Sequence, residues 1–134
     1  MKAKLILFLT LVVSYCAAFA QTPKAIEAEK GLIKISVMYP YAEGKTFNMT
    51  YYQTKHMPMV AAYLGTNLQK YTIDKGLSAG MPGQPLPFAA IGTFYVKSLS
   101  EYQSAIKPHL DAIRADFPNY TNITPVILVS EVIK

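Results

Sequence analysis

The stretch Phe88-Ala-Ala-Ile-Gly-Thr-Phe-Tyr-Val-Lys97 sets Phe88, Ala90, Phe94 and Val96 on one face, with Gly92 between them, and Ile91 and Tyr95 on the other. A period of two in aromatic and β-branched residues predicts a strand with one face against a core. Upstream, Ser78 to Pro87 holds two Gly and three Pro in ten residues and reads as a long hairpin loop. It leads back to a second alternating run, Lys70 to Leu77, with Tyr71 and Ile73 on one face and Thr72 and Asp74 on the other. Downstream, Ser98-Leu-Ser-Glu101 has capping-box spacing, and Leu99, Tyr102, Ile106, Leu110 and Ile113 follow at helical intervals. Pro108 is expected to divide that helix.

The outer parts of the chain complete the pattern. From Leu32, residues Ile33, Ile35, Val37 and Tyr39 alternate with Lys34, Ser36 and Met38, a strand that Pro40 to Lys45 breaks. Asn48 is a helix N-cap candidate, followed by a stripe of Met49, Tyr52, Met59, Val60 and Tyr63 that Gly65 ends. Pro58 cannot donate to the carbonyl of Thr54, so a kink or local break is expected beside His56. After the turn Pro118 to Asn122, Val126 to Ile133 reads as the last strand. The order strand, helix, strand, strand, helix, strand predicts an α+β, ferredoxin-like βαββαβ fold: a four-stranded antiparallel sheet with both helices on one face. Met38, Ile91, Tyr95, Ile127, Val129 and Ile133 are assigned to the other sheet face. An apolar patch of that size predicts face-to-face homodimerisation.

Of the 134 residues, the first 20 stand apart. Lys2 and Lys4, an apolar run from Leu5 to Val13, and Ala18-Phe-Ala20 before Gln21 have the three-part layout of a secretory signal peptide. The run is shorter than the roughly 20 residues a bilayer span needs. Lipoprotein acylation at Cys16 conflicts with the bulky Tyr15 before it. Cleavage after Ala20 predicts a secreted or periplasmic product with no remaining membrane attachment. The domain plan is thus 1–20 signal peptide, 21–30 flexible tether and 31–134 folded domain. Beyond Ala20 the chain has no Cys, hence no disulfide and no thiol chemistry. Its 11 basic and 8 acidic residues are scattered, which argues against a nucleic-acid partner.

No nucleophilic elbow, Walker loop or dinucleotide fingerprint occurs, and two His 53 positions apart make no metal pair. Neither a cofactor nor a metal is expected. His56 is the leading chemical candidate, because an imidazole exchanges a proton near neutral pH and a tyrosine can orient it. Tyr52, one turn earlier, and Tyr39, at the end of the first strand, are candidate partners. The structural alternative is a buried His56 bonded to the carbonyl that Pro58 releases. His109 and most of the tyrosines read as packing groups. Asn48, Asn119 and Asn122 begin N-x-T sequons but fall at a cap and a turn, where Asn serves the backbone.

Ile35-Ser-Val-Met-Tyr-Pro40, Phe47-Asn-Met-Thr-Tyr-Tyr52, Lys55-His-Met-Pro58, Asp74-Lys-Gly-Leu77 and Pro118-Asn-Tyr-Thr-Asn-Ile123, followed by Pro125 and Ser130, together resemble the EthD family. The resemblance runs from about Leu32 to the C-terminus. It implies a dimeric α+β barrel, in which two ferredoxin-like sheets pack face to face. It maps the family's His-x-Pro histidine onto His56, its paired tyrosines onto Tyr51 and Tyr52, and its turn onto Asn119 to Asn122. EthD proteins are often labelled oxidoreductases. Related barrels act as monooxygenases, isomerases, cyclases and dehydratases on small aromatic or polyketide-like molecules. An exported member lacks ready access to NAD(P)H, which weakens the oxidoreductase label here.

Two functions remain open at this point. One is a cofactor-independent acid/base enzyme or, following the family label, an oxidoreductase, with His56, Tyr52 and Tyr39 catalytic and with Tyr51, Met59, Phe94, Asn119 and Tyr120 binding a small hydrophobic or aromatic molecule between sheet and helices. The other is a non-catalytic homodimer that binds such a molecule.

Overall fold

The computed structural model describes residues 29–134. The signal peptide and most of the tether lie outside the described residues. Glu29 and Lys30 form a turn closed by Leu32 N–H donating to the Glu29 carbonyl (3.0 Å), and Glu29 pairs with Lys70.

Strand β1 spans Ile33–Pro40, β2 Leu68–Lys75, β3 Phe88–Val96 and β4 Val126–Glu131. They form one antiparallel sheet in the order β2-β3-β1-β4, the ferredoxin-like arrangement. Helix α1, from Met49 to Leu64, joins β1 to β2, and helix α2, from Leu99 to Asp116, joins β3 to β4. β2 begins two residues before the expected Lys70, at Leu68. The Asn67 side chain holds its start by donating to the Ser98 carbonyl and accepting from the Ser98 N–H, both at 2.9 Å.

Helix α1 has three parts. It is α-helical over Met49–Tyr51, π-helical over Tyr52–His56 and α-helical again over Met57–Leu64. Asn48 caps it, its Oδ1 accepting the Tyr51 N–H at 3.0 Å. The local break beside His56 is a widened turn: the Met57 N–H donates to the Tyr52 carbonyl five residues back. Pro58 has no N–H for Thr54 and its ring crowds that carbonyl, so the widening absorbs the mismatch and Pro58 then sits in the first turn of the next α-helical stretch. Helix α2 runs Leu99–Ile106 and Leu110–Asp116, separated by a tighter turn over Lys107–His109 that contains Pro108. Ser98 caps it by accepting the Glu101 N–H at 3.3 Å.

Ile35, Tyr39, Ala90, Phe94 and Val96 from the sheet meet Tyr52, Met57, Val60, Leu64 and Ile106 from the helices in the core. Gly92 has a specific reason to lack a side chain. A Cβ there would lie 2.0 Å from the Tyr52 hydroxyl and 3.0 Å from the Met57 sulfur.

One face assignment is corrected by the register. Ile127 lies opposite Val37 and Val129 opposite Ile35, so both point to the helix side. Val126 and Leu128, opposite Met38 and Ser36, join Ile91 and Tyr95 on the outer face, while Ile133 lies beyond β4. Directly opposed residues of an antiparallel pair share a face, and a run apolar at four consecutive positions, Val126 to Val129, has no alternation from which to read its phase. All four are exposed, so β4 is an edge strand that neither helix covers.

Candidate functional site

Four elements converge at the end of β1. β1 contributes Tyr39, the π-helical turn contributes Tyr52 and His56, the end of α2 contributes Asp116, and the segment after it contributes Tyr120. The Asn48 N–H donates to the Tyr120 carbonyl at 2.7 Å, and Phe47 pairs with Thr121, which ties the start of α1 to the segment before β4. The ring of Phe47 lies over the cluster, with centroids 4.8 Å from Tyr39, 5.0 Å from Tyr52 and 5.5 Å from Tyr120.

Hydrogen bonds link these groups in a chain. His56 Nδ1 is 2.8 Å from Asp116 Oδ2, His56 Nε2 is 3.3 Å from the Tyr120 hydroxyl, and that hydroxyl is 2.8 Å from the Tyr39 hydroxyl. Asp116 Oδ1 accepts from the Tyr51 hydroxyl at 2.7 Å and from Asn119 Nδ2 at 2.9 Å. Tyr52 does not bond the imidazole; it stacks on it, with centroids 5.5 Å apart and planes 16° from parallel. His56 is 4% exposed and Tyr120 3%. Its bonds go to Asp116 and Tyr120, not to the backbone carbonyl that Pro58 frees.

Burial holds the His56 pKa below its ordinary value, although the Asp116 carboxylate pulls it back up. Burial also opposes ionisation of Asp116, but the bonds from Asn119, Tyr51 and His56 outweigh it and hold the carboxyl below the usual range. Asp116 is thus ionised and His56 neutral at pH 7. The carboxylate fixes the hydrogen on Nδ1 and leaves Nε2 to accept from the Tyr120 hydroxyl. Burial raises Tyr39, Tyr52 and Tyr120 far above ordinary phenols, so they sit as neutral hydroxyls. Such a set can pass a proton between a carboxylate-oriented imidazole and a phenol.

The sequence singled out His56, Tyr39, Tyr52, Tyr51, Asn119 and Tyr120, and the structure brings all six together. Met59 and Phe94 lie elsewhere: Phe94 is buried in the core, 6.1 Å from Tyr71, and Met59 packs against the same core. The space between sheet and helices is filled by Ile35, Tyr39, Tyr52 and Met57. A cleft of about 690 Å³ opens beside it instead, against Phe47, Arg114, Phe117, Tyr120 and the segment to Pro125. Asp116 was missed. Its only local signal was a carboxylate just ahead of the Pro118 turn, and nothing local says that it faces a histidine 60 residues away. Among the described residues no cluster of three His, Cys, Asp or Glu side chains could hold a metal, and no helix is long and apolar enough to cross a membrane.

A ferredoxin-like α+β domain with a histidine sealed between a carboxylate and a phenol defines the class. Within it, residues 45–124 match the EthD domain, and the chain belongs to the EthD family. It is similar to an EthD-like protein of Ralstonia eutropha JMP134, with 43% identity over 78% of this chain and 95% of that one, at a TM-score of 0.73. An ethyl tert-butyl ether D (EthD) family protein of Bacillus halodurans C-125 shares the fold at 15% identity and a TM-score of 0.54, over 75% of this chain and 97% of that one. No curated protein matches.

Proposed function

We propose that this protein binds a small hydrophobic or aromatic molecule in the cleft beside Tyr120 and moves a proton to or from it. Support comes chiefly from the Asp116–His56–Tyr120 chain: it leads from an ionised carboxylate to a phenol on the cleft wall. With Nδ1–H held by Asp116, His56 Nε2 is the one group in the chain poised to gain or lose a proton near neutral pH. Tyr120 is too costly to ionise on its own, so it serves as the relay: its hydroxyl proton passes to His56 Nε2 as it takes a proton from the ligand, and the imidazolium so formed, held by Asp116, returns a proton by the same route. His56 takes up the proton and returns it, Asp116 orients the imidazole, Tyr39 fixes the Tyr120 hydroxyl and Tyr52 supports the ring by stacking. This is the chemistry of an isomerase, a lyase or a cofactorless oxygenase.

Two further readings belong to the proposal. The protein acts after export, released by cleavage after Ala20. It works as a homodimer, since Val126 and Leu128 would otherwise leave apolar side chains about half exposed on the outer sheet face beside Ile91 and Tyr95.

Mass spectrometry of the small molecules that co-purify identifies the ligand, and turnover is then followed in the wild type and in His56→Ala and His56→Asn. The expected result is loss of turnover in both variants with the ligand still bound. His56→Asn, which keeps an amide donor for Asp116, recovers stability but not turnover. Unchanged turnover in a folded His56→Asn refutes the role of His56, whereas a ligand retained by the wild type with no chemical change leaves a binding protein.

A further inference from the structure

The 690 Å³ cleft has a charge character that the buried relay does not explain. Among the described residues lining it, Arg114 is the only charged side chain. Its side chain is 69% exposed, and the carboxylate paired with it, Asp111, is 3.9 Å away and wholly in solvent. A pair of that kind is held too weakly to occupy the guanidinium. Asp116, two residues on, is committed to Tyr51, His56 and Asn119 and does not line the cleft.

Two asparagines among the lining residues have the matching sense. Asn48 spends its Oδ1 on the Tyr51 N–H, and Asn122 spends its Oδ1 on the Thr46 N–H. Each is thereby oriented so that its amide NH2 end remains as a donor. The apolar part of the wall combines the half-buried rings of Phe47 and Phe117 with Pro118, Ile123 and Pro125. A permanent cation able to make a two-point contact, spare N–H donors and flat aromatic surfaces are the complement of a planar ring bearing a carboxylate.

We propose that the cleft selects an aromatic carboxylate, with the acid group on Arg114 and the ring against Phe47 and Phe117. This rests on the ligand-binding reading above and sharpens it. It makes Arg114 the residue that determines specificity.

Calorimetric titration of the full chain with 2-naphthoate and with its uncharged counterpart 2-naphthamide tests this. Wild type is expected to bind naphthoate at least tenfold more tightly than naphthamide, with the preference shrinking as salt rises. Arg114→Gln is expected to weaken naphthoate about tenfold or more while naphthamide changes less than twofold, since a charge-assisted bond is worth about 1.5–3 kcal/mol. Arg114→Lys, which keeps the charge and loses the two-point contact, falls between. Equal binding of both probes, unchanged by Arg114→Gln, overturns the carboxylate and leaves the apolar cleft standing. Binding of neither probe overturns both readings. Equal losses for both probes in Arg114→Gln also overturn the proposal, because they mean that the side chain shapes the cleft and does not pair with the acid.

Discussion

Replacing Asp116 by Ala removes one acceptor group from three donors at once, and the consequences differ by donor. The Tyr51 hydroxyl and Asn119 lie toward solvent and can turn to water, so their loss costs little. His56 cannot, because it is 4% exposed and its Nδ1–H loses the partner at 2.8 Å. Stranding a buried donor costs about 1–3 kcal/mol. For a domain of about 100 residues that is a fall in Tm of roughly 4–8 °C per kcal/mol. The pH dependence adds a second signature. Burial lowers the His56 pKa while Asp116 raises it, so without Asp116 the pKa falls further. In the wild type the folded state binds fewer protons at His56 than the unfolded state does. Stability is therefore full above the unfolded value, about 6.5, and is lost as pH falls from there toward the folded pKa. Asp116, with its carboxyl lowered, adds a second loss only as pH falls from about 3.9 through its own folded pKa. In Asp116→Ala the first loss deepens, because its window extends to lower pH, and the second disappears. Guanidinium unfolding at steps from pH 8 to about 3, alongside NMR titration of the His56 Cε1 proton, measures the cost and follows both losses. A variant that loses under about 0.5 kcal/mol, or in which the His56 pKa rises, refutes the reasoning.

Gly92→Ala is expected to destabilise by about 1–3 kcal/mol, because its Cβ would sit 2.0 Å from the Tyr52 hydroxyl and the ring must move off the sheet; a wild-type Tm would show that Tyr52 yields freely. Leu128→Glu places a charge on the outer sheet face, where the side chain is already exposed, and is expected to shift sedimentation equilibrium from dimer to monomer with the far-UV circular dichroism unchanged. A dimer unaffected by that charge would remove the outer face from the interface.

Periodicity was enough for the fold. The alternation of Ile33 to Tyr39 and of Phe88 to Val96, the caps at Asn48 and Ser98, and the break at Pro58 are local features, and each set its element without help from distant residues. Val126 to Val129 had no such phase, and pairing with β1 alone decided which side chains face the helices. His56 was visible as chemistry because imidazole is rare and the tyrosine beside it is one turn away. Its partners were another matter. Asp116 and Tyr120 lie 60 and 64 residues further on, in a segment whose local pattern reads only as a helix end and a turn. Their roles follow from where α2 ends relative to the widened turn of α1, and that depends on how the two helices pack on the sheet. The sequence by itself determined the elements and the one histidine worth watching. The tertiary structure decided which carboxylate and phenol it touches, because hydrogen bonds between distant segments depend on packing geometry that no local pattern encodes.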